Sequence, residues 1–459
     1  MRDHNATSAS GTSGSFTTGS GGGISIATPA GLIIEGQTLT VSGTYTGTPP
    51  SGLNYLLDSG SYVAASAPAI GSGAWSFAIA APAFGSHTIT VQESNATTVT
   101  ATSGAFRVSS APNNVAMLYS PYNWNVGGAA AITVNAGAYF RTMFGGSTTC
   151  VLNFDVSAMV SPTSEIWSRI DNGPWTQAAV GTTISLNIPA IMLSNGDVPY
   201  HLLELVVKST TETQNRWNAG NSTRVVFKGL TLDAGATLVA PLAAPKKLLI
   251  YGDSITEGVR TLGEAATNDT DRNDAMMGWA FRLGALLGAE VGVVGFGASG
   301  LSVTGSGNVP VLGTSYGLLY GGVSRSFSPA PDMVMFNEGT NDGSTNIVAA
   351  MTAVLNGIIA ACPSTVVAVL RPFNGNQVAN LQAAIAACSA PASCHYVDTT
   401  GFFNTAYGAD SLSLHPSGPN DLGLIAPQLA TVLRPLLSPT GGTTTVLSFR
   451  GGFQRGLLG

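Results

Sequence analysis

The strongest constraint on the fold is a change of hydrophobic period near residue 245. Before it, apolar and polar residues alternate in short runs such as "QTLTVSGTY", "GAWSFAIAA", "GSHTITVQE" and "GAFRVSS", then "AAITVNAG", "TTCVLNFDV", "EIWSRIDNG" and "YHLLELVVKS". Alternation with period two between turn residues predicts half-buried strands. After the Pro/Ala linker "APLAAPKK", the run "KLLIYG" is continuously apolar, the pattern of a parallel strand buried on both faces. "GWAFRLGALLG", "NIVAAMTAVLNGIIAAC", "NQVANLQAAIAAC" and "NDLGLIAPQLATVLRPLL" read as helices. They are interleaved with the strand patterns "EVGVVGF", "PDMVMFN", "TVVAVL" and "CHYVDT". Such βαβ alternation predicts an α/β, flavodoxin-like domain with a five-stranded parallel sheet over 245–438.

The expected organisation is therefore multidomain. Residues 1–23 are rich in Gly, Ser and Thr and read as a flexible tail. Residues 24–110 have the strand spacing of an immunoglobulin-like β-sandwich, and 115–240 that of a second sandwich of jelly-roll type. Residues 439–459 form a C-terminal tail with no evident chemistry.

Composition narrows the function. Only 9% of residues are charged and the net charge is −6, which argues against nucleic acid as a partner. No run of 18 apolar residues could span a membrane. The N-terminus shows no apolar core of a signal peptide. A surface of Gly, Ser, Thr and Ala fits an extracellular or virion-associated protein. Cys150, Cys362, Cys388 and Cys394 form neither a C-x-x-C pair nor a zinc pattern, so no metal or cofactor is called for. Cys388 and Cys394 flank "SAPAS" and are either a short-loop disulfide or two buried thiols. Trp124, Trp175 and Trp217 are candidates for stacking on sugar, with core packing as the alternative.

Ligands of doubly wound sheets sit beyond the carboxyl ends of the strands, and four polar blocks fall there. "YGDSITEG" puts Ser254 at a strand-to-helix turn, where a helix cap is the ordinary role. "GFGASG" has the spacing of a dinucleotide fingerprint, but "LSVTGSGNVPVLGTSYG" follows it in place of a helix, and residues 310–322 carry no acid. That argues against the dinucleotide reading. Gly297 then suits a backbone donor to an oxyanion. "NEGTND" offers the Asn341 amide, and "GADSLSLHPSG" places His415 just before the last helix.

In order and on these elements, "GDSITEG", "GFGASG", "GTND" and "LSLHP" resemble the blocks of the SGNH, or GDSL-like, hydrolase superfamily. The resemblance implies Ser254 as nucleophile and His415 as general base. Ser254 N–H, Gly297 N–H and the Asn341 side chain would form the oxyanion hole. A jelly roll ahead of such a domain is similar to a carbohydrate esterase family acting on acetylated polysaccharide, a likeness covering 115–438. It implies ester hydrolysis, of acetyl groups, on a poly- or oligosaccharide partner. Tyr251, Trp279 and Phe296 are candidates for a small acyl pocket. A phage-tail or surface adhesin that binds or deacetylates polysaccharide is the alternative. The oligomeric state is not legible.

The resemblance fails at one place. The superfamily sets its acid three residues before the histidine, where this chain has Leu412; Asp410 stands two residues earlier. Either the loop bulges and Asp410 still reaches His415, or the site is a Ser-His dyad.

Overall fold

A computed structural model describes residues 22–190 and 199–437. The two expected tails therefore lie almost wholly outside the described residues. The N-terminal half is β-rich and antiparallel, as the alternation requires. Two four-stranded sheets come first. One is ordered Ile24–Ile26, Thr38–Tyr45, Ala74–Ala80, Ala69–Gly71, the other Val63–Ala64, Leu53–Leu57, Ile89–Glu93, Thr100–Thr102. Their inward residues, among them Val41, Leu53, Trp75, Phe77, Ile89 and Val91, form one core.

Next comes a pair of larger sheets. One runs Leu118–Tyr119, Tyr139–Gly145, Tyr200–Ser209, Glu165–Ile170, Thr176–Ala179, with Thr237–Val239 also on Tyr139–Gly145. The other runs Asn125–Val126, Ala131–Thr133, Val225–Leu232, Cys150–Phe154, Thr183–Ser185. Phe140, Phe144, Leu152, Phe154, Leu203 and Phe227 fill the space between them.

The change of period marks the start of a parallel sheet. Its strands are β1 (Lys246–Gly252), β2 (Ala289–Gly295), β3 (Met333–Asn337), β4 (Val366–Leu370) and β5 (Cys394–Val397), in the order β2-β1-β3-β4-β5. That order reverses direction at β1, so the switch point lies at the β1 end. Its helices are α1 (Ser254–Glu257), α2 (Trp279–Leu287), α3 (Val348–Ala361), α4 (Val378–Ala387) and α5 (Ala426–Leu437). Strand residues alternate between two cores. Leu249 and Tyr251 pack with α3 and α4, whereas Leu248 and Ile250 pack with α2 and α5.

β2 is an edge strand, and an open edge is a hazard unless covered. Here the second β unit covers it. Asn123 Nδ2 donates to Val293 O at 3.2 Å, and a Cβ on Gly292 would lie 2.0 Å from Pro121 O. Tyr139 and Arg141 both donate to the buried Glu290 of β2. Tyr122, Val134 and Trp217 enter one core of the parallel sheet, and Tyr139 and Val206 the other. The second β unit and the α/β domain thus share packing rather than a linker alone.

Among the described residues no helix is long and apolar enough to cross a membrane. The four cysteines are free and buried. Cys388 Sγ and Cys394 Sγ stand 3.6 Å apart, so of the two readings the structure has the pair of thiols.

Candidate active site

β1 ends at Gly252 and the chain turns at once into α1. A Cβ at Gly252 would sit 2.0 Å from Thr256 Oγ1 and 2.9 Å from Asn337 O, so the sharp turn excludes a side chain there. Gly258 ends the helix at φ 86°, the left-handed region glycine tolerates. Asp253, not Ser254, caps the helix: its Oδ1 accepts the Ile255 N–H at 2.9 Å. The capping role is therefore filled, and the Ser254 hydroxyl is left for His415. Burial is the largest influence on Asp253 and pushes its carboxyl up to about 6.

His415 bridges two groups. Its Nε2 lies 2.8 Å from Ser254 Oγ, and its Nδ1 lies 2.7 Å from Asp410 Oδ2. All three residues are buried. The acid reaches the imidazole because its loop bulges. Ser413 N donates back to Asp410 O at 3.0 Å, closing a turn, and Ser413 adopts φ 50°. The two extra residues are taken up there, and Leu412 is expelled to 74% exposure. Asp410 Oδ1 accepts the N–H groups of Leu414 at 2.9 Å and His415 at 3.3 Å. Burial pushes Asp410 upward, but the His415 hydrogen bond and these N–H donors outweigh it and hold the carboxyl below its ordinary value.

The second and third blocks are bonded to each other. Asn341 Nδ2 donates to Ser299 O at 2.8 Å, leaving its other amide hydrogen uncommitted by that bond. Asp342 accepts Leu301 N–H at 3.2 Å, and Ser302 N–H and Oγ–H at 2.6 Å each. The glycine block continues as loop, as the sequence requires.

Gly297 needs a correction. Its N–H donates to Glu257 Oε2 at 2.6 Å, so that hydrogen serves a buried carboxylate, not an oxyanion. Glu257 is in turn paired with Arg216 of the second β unit, at 2.5 Å for Nη1 and 3.2 Å for Nη2. Arg216 is fully enclosed.

The acyl-pocket candidates are also corrected. Tyr251 is stacked on Phe336 and donates to Tyr316 O at 2.7 Å. Trp279 meets Phe373 edge-on, and Phe296 packs against Trp217 and beneath Arg216. All three belong to the core. Of the sugar-stacking candidates, Trp124 and Trp217 are core residues, and the half-buried Trp175 has the Arg169 guanidinium 4.3 Å over its ring.

Sequence reasoning missed Arg216, Glu257, Arg260 and Glu264. Arg260 Nη1 donates to Asp410 Oδ2 at 3.0 Å and pairs with Glu264 at 2.8 Å. Only an acid and a base within the loop after "GDSITEG" hinted at them. Among the described residues, no three His, Cys, Asp or Glu converge as metal ligands.

Residues 250–419 match the GDSL-like Lipase/Acylhydrolase family. No curated protein matches the sequence. Among solved structures, a family two carbohydrate esterase from Cellvibrio japonicus is similar with TM-score 0.57 and 19% identity, covering 71% of this chain and 97% of that one. A family two carbohydrate esterase from Clostridium thermocellum in complex with cellohexaose gives TM-score 0.56 and 19% identity, covering 70% and 99%. An acetyl xylan esterase from the rumen bacterium Butyrivibrio proteoclasticus gives TM-score 0.57 and 16% identity, covering 71% and 97%. At these identities the likeness is one of fold, and it extends beyond the α/β domain.

Proposed function

We propose, starting from the match of residues 250–419 to the GDSL-like Lipase/Acylhydrolase family, that this chain is a serine esterase removing acetyl groups from a carbohydrate. The observation that carries the reading is the unbroken chain Ser254 Oγ, His415, Asp410. A serine hydroxyl is a poor nucleophile until a base takes its proton. As Ser254 Oγ bonds to the ester carbonyl carbon, its proton passes to His415 Nε2, and Asp410 orients the imidazole and stabilises its charge. The tetrahedral oxyanion is held by Ser254 N–H and the Asn341 amide, each such donor being worth roughly 3–4 kcal/mol. When the C–O bond to the sugar breaks, His415 returns the proton to the leaving oxygen. Water, deprotonated by the same imidazole, then releases acetate from acyl-Ser254.

The carbohydrate part of the reading rests on the fold shared with the three carbohydrate esterases. It also fits a site outside the cell, where acetylated polysaccharide is met. We read 24–110 as an immunoglobulin-like module, 115–240 as a jelly roll and 245–438 as the catalytic domain. Acetate release from a panel of acetylated glycans, beside longer acyl esters, tests substrate and acyl group together. The reading expects acetylated glycan to be preferred and Ser254→Ala to be inactive. Turnover confined to long-chain esters would overturn the carbohydrate assignment.

A further inference from the structure

The displaced acid raises a mechanical question. Asp410 sits on a bulged surface loop, two residues from the family's acid position, yet its carboxylate is buried and meets His415 Nδ1 at 2.7 Å. The loop's own bonds, Ser413 N to Asp410 O at 3.0 Å and Ala409 N to His415 O at 2.8 Å, close the bulge, but its tip, with Leu412 exposed, has little burial to fix it. Further fixing contacts come from the loop that follows the nucleophile. Arg260 Nη1 donates to Asp410 Oδ2 at 3.0 Å, the same oxygen that faces the imidazole. Glu264 Oε1 holds Arg260 Nη1 at 2.8 Å, and its Oε2 accepts the Ser411 N–H at 3.1 Å. Gly418 N donates to Thr261 O at 2.9 Å. Arg260 itself is set in the left-handed region at φ 58°, with its N–H on Asn273 Oδ1 at 2.8 Å. A non-glycine residue at such an angle persists only when its surroundings hold it there.

We propose that Arg260, steadied by Glu264, is the positioning residue that clamps the displaced Asp410 onto His415 from the nucleophile's own loop. This rests on the esterase reading above and deepens it. The clamp has two consequences. It keeps the carboxylate at hydrogen-bond distance without help from the usual loop length. It also places a fixed cation beside the oxygen that faces the imidazole, and a nearby like charge disfavours the imidazolium. The charged groups set against the pair are Arg260 and Glu264 from this loop and Asp253 from the start of α1, with Glu338 and Asp342 acting on Asp253 from behind.

The test is the pH dependence of kcat/KM for an aryl acetate in the full chain, for wild type, Arg260→Gln, Arg260→Lys and Glu264→Gln. Removing the cation should lower kcat about tenfold with little change in KM. It should also move the acid limb of the profile up by about one pH unit, since the base then protonates more readily. Arg260→Lys keeps the charge but not the fork, so its acid limb should stay near wild type while kcat falls severalfold. Glu264→Gln removes a screened, half-exposed anion and should move the limb a few tenths of a unit the other way. Should Arg260→Gln not fold, the kcat of Arg260→Lys and the acid limb of Glu264→Gln decide alone. With Ser254→Ala inactive, an unchanged acid limb in folded Arg260→Gln, or wild-type kcat in Arg260→Lys together with an unmoved limb in Glu264→Gln, overturns the clamp and leaves the esterase standing. Turnover retained by Ser254→Ala overturns both.

Discussion

Asp410 Oδ2 lies 2.7 Å from His415 Nδ1 although the family spacing would have put Leu412 there. A bulge replaces the missing register, and a triad geometry follows where the sequence left a dyad open. An acid that orients the imidazole and balances its charge is worth about 10⁴ in turnover when changed to the amide. Asp410→Asn should therefore lower kcat on an aryl acetate by about 10³ to 10⁴, with KM little changed. Restoring an acid at the family position should not help, because Leu412 points into solvent at 74% exposure. Asp410→Asn combined with Leu412→Asp is expected to stay at the level of the single variant. Retention of most activity by Asp410→Asn would instead mean a dyad.

The Asn341 amide binds the glycine block through one hydrogen, and in the proposed mechanism the other serves the oxyanion. Asn341→Ala should reduce kcat about 10²- to 10³-fold. Steady-state kinetics on an acetyl ester checks this, and a loss confined to KM would assign the residue to ground-state binding instead.

Gly292 stands where β2 meets the second β unit, with room for no side chain: its Cβ would be 2.0 Å from Pro121 O, a backbone atom that cannot swing away. Gly292→Ala should cost about 1–3 kcal/mol of stability, in the range of overpacked cores. Denaturant melts read this directly. An unchanged midpoint would mean that the β unit does not press on the edge strand.

Asp274 accepts Trp167 Nε1–H at 3.0 Å and Met276 N–H at 2.9 Å, yet burial outweighs these donors and pushes it up to about 6. A carboxyl raised on folding favours the native state below its unfolded value, and that advantage is lost as pH rises through the folded value. Between pH 4 and 7 this residue alone should remove up to about 3 kcal/mol. The stability difference between wild type and Asp274→Asn, followed across that window, should drift in favour of the variant as pH rises. A difference independent of pH would contradict the raised value.

Much of this was legible because it is local. Five apolar runs each long enough for a buried strand, with helical periods between them, leave little choice but a parallel sheet, and its polar blocks fall on one rim. What was not legible depends on partners far apart in sequence. Gly297 looked like an open donor, but Glu257, 40 residues earlier, takes its N–H. Glu257 is itself held by Arg216 from the β unit. Tyr251, Trp279 and Phe296 flank the blocks in sequence, yet strand and helix geometry turns their rings inward. Arg260 and Glu264 were ordinary loop charges until the fold set them beside Asp410.

The central claim is that Ser254, activated by His415, is the atom acylated during turnover. Treating the protein with a fluorophosphonate and measuring intact and peptide masses tests it most directly. The account predicts one adduct per chain, on the peptide carrying Ser254, formed in step with loss of esterase activity and absent in Ser254→Ala. Persistent hydrolysis with Ser254 unmodified, or an adduct on another residue that tracks the activity, would contradict it.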